Sequence, residues 1–357
     1  MERREILESI IHEFNCRHEN INVLAFPFGP SGGSVAEQML LGSATGRLPD
    51  LALVERESIP ALADAGVISP LDKLILSSKA RSGSLRRENL LDVAFAYAVY
   101  GRRLYGLPAY INPFVLIYNS EALSAEEGIC APPRDWDALI AAARTLAENT
   151  PGGRRRWVLS VRTMAPLFNI LCVQRGVDIC STEDSAEDSA AIREIVDFIA
   201  SLRQAPAMLP PQHKFWDPKF SGVASGKVLF QIDSATMLAH LAGNASVALS
   251  AAEVPSDSHP PRTYLSRSPV FVISSSGAKT RAALRFLEFF YSAEHYSRFA
   301  EQLLVVSPLK DAVSSLRDAA LDRELYSQVV SAAENAAVFP LRRCSGTVMP
   351  RVARIVE

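Results

Sequence analysis

Tyr105-Gly-Leu-Pro-Ala-Tyr-Ile-Asn-Pro-Phe-Val-Leu-Ile-Tyr-Asn119 decides how this chain is read. A Gly-Leu-Pro turn runs into an apolar stretch that ends at Tyr118-Asn119, the pattern of a buried strand entered from a tight connection. The elements on either side alternate between helix and strand, so the stretch sits inside an α/β architecture.

Upstream, Ile6, Leu7, Ile10, Ile11 and Phe14 recur at helical spacing, and Ile21 to Phe28 reads as a strand. Gly29-Pro-Ser-Gly-Gly33 breaks the chain. Ser34 and Glu37 form the S-x-x-E capping box of a helix running to about Ala44. Leu51 to Val54 is a short buried strand, residues 59–66 a short helix stopped by Gly66, and Val67 to Asp72 leads into another. Downstream, Asp135 caps a helix from Trp136 to Glu148, and Trp157 to Val161 is a strand. Ile192, Ile195, Val196, Ile199 and Leu202 stripe a further helix. Phe220 to Asp233 reads as a helix end, a Ser225-Gly-Lys227 turn and a strand. Pro269 to Ile273 is another strand, after which Thr280 is expected to cap an aromatic helix through Tyr291, and Ser292 to His295 opens the next.

At 357 residues the chain is long enough for two lobes with separate cores. A formal charge of -2 without a basic cluster argues against nucleic acid as a partner. Apolar content is 48%, yet no run has the length of a membrane span. Cys16, Cys130, Cys172, Cys180 and Cys344 are scattered without a C-x-x-C, and the six histidines lack H-E-x-x-H spacing. Neither a disulfide framework nor a metal site is expected, and no cofactor. The opening residues lack the apolar core of a secretory signal.

The Tyr105–Asn119 stretch resembles the interlobe crossover of extracellular solute-binding proteins of ATP-binding-cassette transporters, of the maltose- and glycerol-3-phosphate-binding type. Leu48-Pro-Asp50, Ala61 to Asp72, Phe220 to Asp233 and Pro269 to His295 extend the likeness over about residues 2–315. The resemblance implies a two-lobe periplasmic-binding-protein fold of type II, each lobe a mixed sheet flanked by helices, with a ligand cleft between the lobes. Lobe one would comprise 1–109 and 264–306, and lobe two 110–263 and 307–357, with crossovers near 109–114, 253–268 and 305–310. A monomer that captures a small polar solute by hinge closure is implied, a sugar or oligosaccharide first and an anionic polyol such as glycerol 3-phosphate as the alternative. Permease subunits would be its partners and its place extracytoplasmic, in the periplasm or lipid-anchored at the outer face of the membrane. Family members begin with a strand ahead of the first helix. Here the chain starts at that helix, and a late-placed start would account for both the missing strand and the missing export signal.

The resemblance carries ligand-binding roles onto Glu55, Arg56, Glu57, Tyr110, Asn112, Thr163, Met164, Asp233, Ser234, Arg267 and Ser268. Tyr110 would stack on ligand and Asn112 would bind through its amide; the alternative is that both satisfy hinge backbone groups. Glu55 to Glu57 read as a solvated loop from which one side chain reaches ligand. Asp233 suits either a cleft role or the N-cap of the residues that follow. Two positions where relatives carry aromatic rings lack them, after Val54 and after Asp233, leaving Tyr110, Phe168, Trp157 and Trp216 as replacements for sugar stacking. Arg267-Ser268 could favour a phosphate or carboxylate instead, because arginine presents a planar fork of donors.

Two other classes stay open. Gly29-Pro-Ser31-Gly-Gly33 matches the G-x-S-x-G elbow of a serine hydrolase, although one strand precedes it where that fold places several. The missing strand and rings also fit a decayed relative acting as a protein-interaction module. The solute-binding reading assigns no catalytic residue.

Overall fold

The computed structural model describes residues 3–26, 34–75, 84–125, 129, 131–148, 157–179, 186–204, 208–209, 222–244, 247–258, 260, 262–319 and 322–342. Ser31 with its glycines, Trp216, Cys130, Cys180 and Cys344 lie outside them. The chain divides into two compact units. The first holds Met1–Ile111, Arg267–Arg323 and Pro340–Gly346; the second holds Asn112–Ser266, Glu324–Phe339 and Thr347–Glu357.

The first unit is built on three antiparallel strands, with Val270–Ile273 between Leu51–Val54 and Gly106–Pro108. All four residues of the middle strand are buried, as a strand covered on both faces requires. Gly106 is dictated by packing. A Cβ there would lie 2.5 Å from both the Phe271 carbonyl oxygen and Val270 Cγ1. Helix Arg3–Arg17 buries Ile6, Ile10 and Phe14 at four-residue spacing. Phe14 meets Phe286 and Phe289 edge-on, at 5.3 and 5.2 Å between ring centroids.

Residues 21–26, expected as a strand, are not one: no strand pairs with them among the described residues. Without a ladder Leu24, Ala25 and Phe26 are all exposed, Leu24 and Phe26 at 66% and 76%. The capping box is present as expected, Ser34 Oγ accepting from Glu37 N at 3.2 Å and Glu37 Oε2 from Ser34 N at 2.8 Å. Gly66 ends its helix at φ +66, a conformation glycine adopts without a Cβ penalty. The aromatic helix begins at Gly277, not at Thr280, and its N-cap is Ser276. Thr280 lies one turn inside, its hydroxyl donating to the Ser275 carbonyl at 2.8 Å.

The chain leaves the first unit after Arg323 rather than near 305–310, because helix Lys310–Ala319 packs on the first unit. Leu309, Ala312, Val313 and Leu316 are buried there, Asn89 Oδ1 accepts from Asp311 N at 3.0 Å, and Leu91 N donates to Pro308 O at 2.9 Å.

The second unit carries a five-stranded mixed sheet in the order Met208–Leu209, Trp157–Val161, Val228–Ser234, Phe114–Asn119, Leu249–Ala252. The first three strands run parallel and the last two add antiparallel. One face belongs to a core that includes Leu116, Leu159, Val161, Phe230 and Ile232, with helices Trp136–Glu148, Met164–Arg175 and Ala186–Gln204 packed into it. The predicted cap at Asp135 is present, its Oδ1 accepting from Ala138 N at 2.7 Å. Gly226, φ +69, makes the turn into Val228–Ser234. Every residue of that strand is buried, including the polar Gln231 and Asp233. No helix of the described residues is long and apolar enough to cross a membrane.

Candidate functional site

Polar side chains gather at one end of the second unit's sheet. The parallel register sets Ser160 beside Gln231 and Val161 beside Ile232, so that Arg162, the next residue, reaches the level of Asp233. Arg162 Nη2 stands 3.4 Å from Asp233 Oδ1. Ser234 N donates to the same oxygen at 2.8 Å, and Gln231 Nε2 donates to Asp233 Oδ2 at 3.4 Å. Burial pushes the Asp233 carboxyl above the usual carboxylate range, against the opposing pull of Arg162 and of the bonds from Ser234 and Gln231. Ser160, on the strand beside this group, is buried with its hydroxyl unpaired.

Asn112 closes a neighbouring clasp. Its Nδ2 donates to Thr236 Oγ1 at 3.1 Å, its Oδ1 accepts from Thr236 N at 3.2 Å, and its carbonyl accepts from Ser266 N at 2.8 Å. Both ends of the amide are thus engaged within the second unit. Ser234 is the N-cap residue of helix Ala235–Ala242, but its side chain makes no cap bond. Thr163 holds the same position before helix Met164–Arg175, also without a side-chain cap, while Met164 turns into the core. Asp233, Ser234 and Thr163 therefore stand at strand ends and helix beginnings, and at helix Ala235–Ala242 the N–H groups of Ser234, Ala235 and Thr236 are taken by Asp233, Pro113 and Asn112.

The first unit brings together Arg56 and Ser268 through Tyr97, a residue that sequence reasoning missed. Arg56 is 4% exposed, not part of a solvated loop. Its Nε donates to Tyr97 O at 2.6 Å, and its guanidinium lies 5.0 Å from the centre of the Tyr97 ring. The Tyr97 hydroxyl accepts from Ser268 N at 3.0 Å and donates to Ser268 O at 3.2 Å. Glu55 is exposed and Glu57 half-buried beside this arrangement in sequence, and Arg267 is exposed. Tyr110 is buried. The preceding residues are held by two tyrosines: Tyr291 Oη donates to Pro108 O at 2.7 Å and Tyr296 Oη to Ala109 O at 3.3 Å.

Among the described residues one trio of metal-type ligands converges, Glu13, Glu294 and His295. Arginines already take its carboxylates. Arg17 Nη2 lies 2.5 Å from Glu13 and 3.0 Å from Glu294, and Arg298 Nη2 lies 2.8 Å from Glu13. This is an ion-pair network between two helices of the first unit, not a centre prepared for a cation.

The bacterial extracellular solute-binding protein family matches residues 9–322. This chain belongs to that family. No curated protein matches it by sequence. Among solved structures, the sugar-binding protein MalE of Xanthomonas citri is similar at a TM-score of 0.82 and 15% identity, covering 99% of this chain and 88% of that one. The cyclic α-maltosyl-1,6-maltose binding protein of Arthrobacter globiformis gives 0.77 and 17%, covering 99% and 89%. The maltotriose binding protein of Thermus thermophilus, bound with maltotriose, gives 0.68 and 20%, again covering 99% and 89%. At such identities the likeness is one of fold, and the two-lobe mixed α/β architecture of solute-binding proteins is this chain's own.

Within this family member, some polar residues escaped sequence reading. Arg162 carried one usable signal, its place between a predicted strand and the expected ligand residue Thr163. Tyr97 and Thr236 carried none, since their roles come from partners distant in sequence. Of the rings expected to replace missing aromatics, Phe168 is committed to the core of the second unit and Trp157 is half-buried.

Proposed function

We propose that this chain is the substrate-binding component of an ATP-binding-cassette importer and that its solute is a sugar or oligosaccharide. The observation that carries the reading is the likeness of fold, over 99% of the chain, to proteins whose structures are those of sugar and maltodextrin binders. Buried polar side chains at the strand ends of the second unit support it, because a sugar's hydroxyl rim is recognised by fixed donors and acceptors. In this reading Asp233, Ser234, Thr163 and Asn112 belong to the binding face of the second unit, and Arg56, Tyr110 and Ser268 with Glu55, Glu57 and Arg267 to that of the first. Met164 contributes backbone, its side chain being committed to the core.

Capture proceeds by hinge closure of the two units on the solute, which selects the closed form in proportion to its differential affinity for it. The protein works outside the cytoplasm as a monomer, and permease subunits receive the loaded form. It performs no covalent chemistry on its solute.

Thermal unfolding of the full chain with maltose, maltotriose and glycerol 3-phosphate, followed by calorimetric titration, tests this. A solute that binds the native state alone raises the midpoint, by about 2.7 kcal/mol of stabilisation at a hundredfold excess over Kd. Saturable binding of a saccharide with a smaller scattering radius is expected. Silence towards every saccharide in a broad panel would overturn the proposal.

A further inference from the structure

Arg162 follows directly on strand Trp157–Val161 and directly precedes Thr163, the N-cap of the 12-residue helix Met164–Arg175. Its side chain is 38% exposed, and among the described residues it makes one ion contact, to a carboxylate that is 1% exposed. Both oxygens of that carboxylate are engaged inside the unit, Oδ1 with Ser234 N and Arg162, Oδ2 with Gln231. Asp233 therefore fixes the arginine and keeps little acceptor capacity for a ligand.

The charged group that remains open at this place only donates. Within the described residues Arg162 donates no hydrogen bond, and a guanidinium has no acceptor atom. The adjoining helix starts without a side-chain cap, so the N–H groups of Met164 and Ala165, Pro166 having none, and the positive end of its dipole add to the same sign. The acceptor at the neighbouring clasp, Asn112 Oδ1, is taken by Thr236 N. The hydroxyls of Ser160 and Thr163, which can donate or accept, serve a sugar's rim, while the arginine fork adds charged donors that favour a group which only accepts.

We propose that Arg162, held by Asp233, is the specificity-determining residue of the second unit and takes the anionic oxygens of an acidic saccharide, a uronate carboxylate or a sugar phosphate. This rests on the proposed solute-binding role and narrows its substrate class. The pre-set orientation of the fork reduces the ordering cost of binding a planar or tetrahedral anion.

The test is calorimetric titration of the full chain with maltotriose, trigalacturonate and glucose 6-phosphate, at low and high sodium chloride, repeated for Arg162→Gln and Arg162→Lys. One anionic probe is expected to bind at least about tenfold more tightly than maltotriose, with affinity falling as salt rises, and R162Q to lose about tenfold to a hundredfold of it. R162K separates the two sources. It restores binding of a phosphate, which a point charge serves, better than binding of a carboxylate that uses the fork. Tightest binding of maltotriose, or an anionic preference untouched in a folded R162Q, overturns the role of Arg162 while leaving sugar binding in place. Absence of binding to any saccharide overturns both. Should R162Q not fold, the preference and salt dependence of the natural chain decide alone.

Discussion

Asn15 holds Val23 by both ends of its amide: Nδ2 donates to the Val23 carbonyl at 2.9 Å and Oδ1 accepts from Val23 N at 2.8 Å. The side chain does for one residue what a neighbouring strand does for many. It explains how residues 21–26 are held without a ladder, since the backbone pair of Val23 is satisfied from helix Arg3–Arg17. Replacing Asn15 with Ala should lower stability by about 1–2 kcal/mol, because two partly buried backbone groups lose their partners. Urea unfolding followed by circular dichroism reads this directly. An unchanged midpoint would show that water serves Val23 equally well.

Gly106 lies where its strand passes the Val270–Ile273 strand, and a methyl group there meets both the Phe271 carbonyl and the short, branched side chain of Val270. Gly106→Ala should cost about 1–3 kcal/mol, as overpacking does in a close-packed interior. The same experiment on Gly46, whose added Cβ meets nothing within 4 Å but whose φ is +68, isolates backbone strain from collision. Equal losses at both glycines would refute collision as the cause at Gly106.

Tyr97 bonds to both backbone groups of Ser268 through one hydroxyl. Tyr97→Phe retains the ring under the Arg56 guanidinium and strips away both bonds, leaving a buried N–H and carbonyl unserved. A loss of about 1–3 kcal/mol is expected. Hydrogen exchange at the Ser268 amide should accelerate in the variant, and an exchange rate equal to that of the natural chain would mean another acceptor takes over.

His295 is buried against Phe289, their ring centroids 3.8 Å apart. Desolvation holds its imidazole below the ordinary value of 6.5, against the pull of Glu13 and Glu294 and with the push of Arg17 and Arg298. A depressed folded value means that the fold binds fewer protons than the unfolded chain. Its contribution to stability is full above the unfolded value and is lost as pH falls through the folded one. The thermal midpoint should therefore decline on acidification from about pH 7 to about pH 5, and less so in His295→Phe, which keeps the stacking and cannot protonate. A decline as steep in the variant would assign the effect to the neighbouring carboxylates.

Much of the local structure was legible because its causes lie within a few residues of one another. Ser34 and Glu37 cap each other three positions apart, Asp135 reaches Ala138, and Gly66 and Gly226 turn where φ must be positive. The misplaced start of the aromatic helix shows the limit of that reasoning: Thr280 has the chemistry of a cap, but its hydroxyl bonds back to Ser275 from inside the helix. The strand expected at 21–28 is absent over its described residues 21–26 for a different reason, since a strand exists by virtue of its neighbour and an apolar segment alone cannot supply one.

Local sequence determined the elements whose causes are short-range, such as the capping box at Ser34, the cap at Asp135, the positive-φ glycine turns and the striped helices, through hydrogen bonding and hydrophobic spacing. Which polar residues meet was decided by the tertiary structure. Arg162 comes level with Asp233 through a parallel sheet register, and Tyr97 reaches Ser268 across 171 residues of chain. Helix Lys310–Ala319 joined the first unit because it packs against helix Ala293–Leu303 while Asn89 takes Asp311 N and Leu90 bridges Leu309, pairings that a linear reading does not contain. Such pairings depend on which groups are desolvated together, and desolvation is a property of the folded chain, not of any one stretch of it.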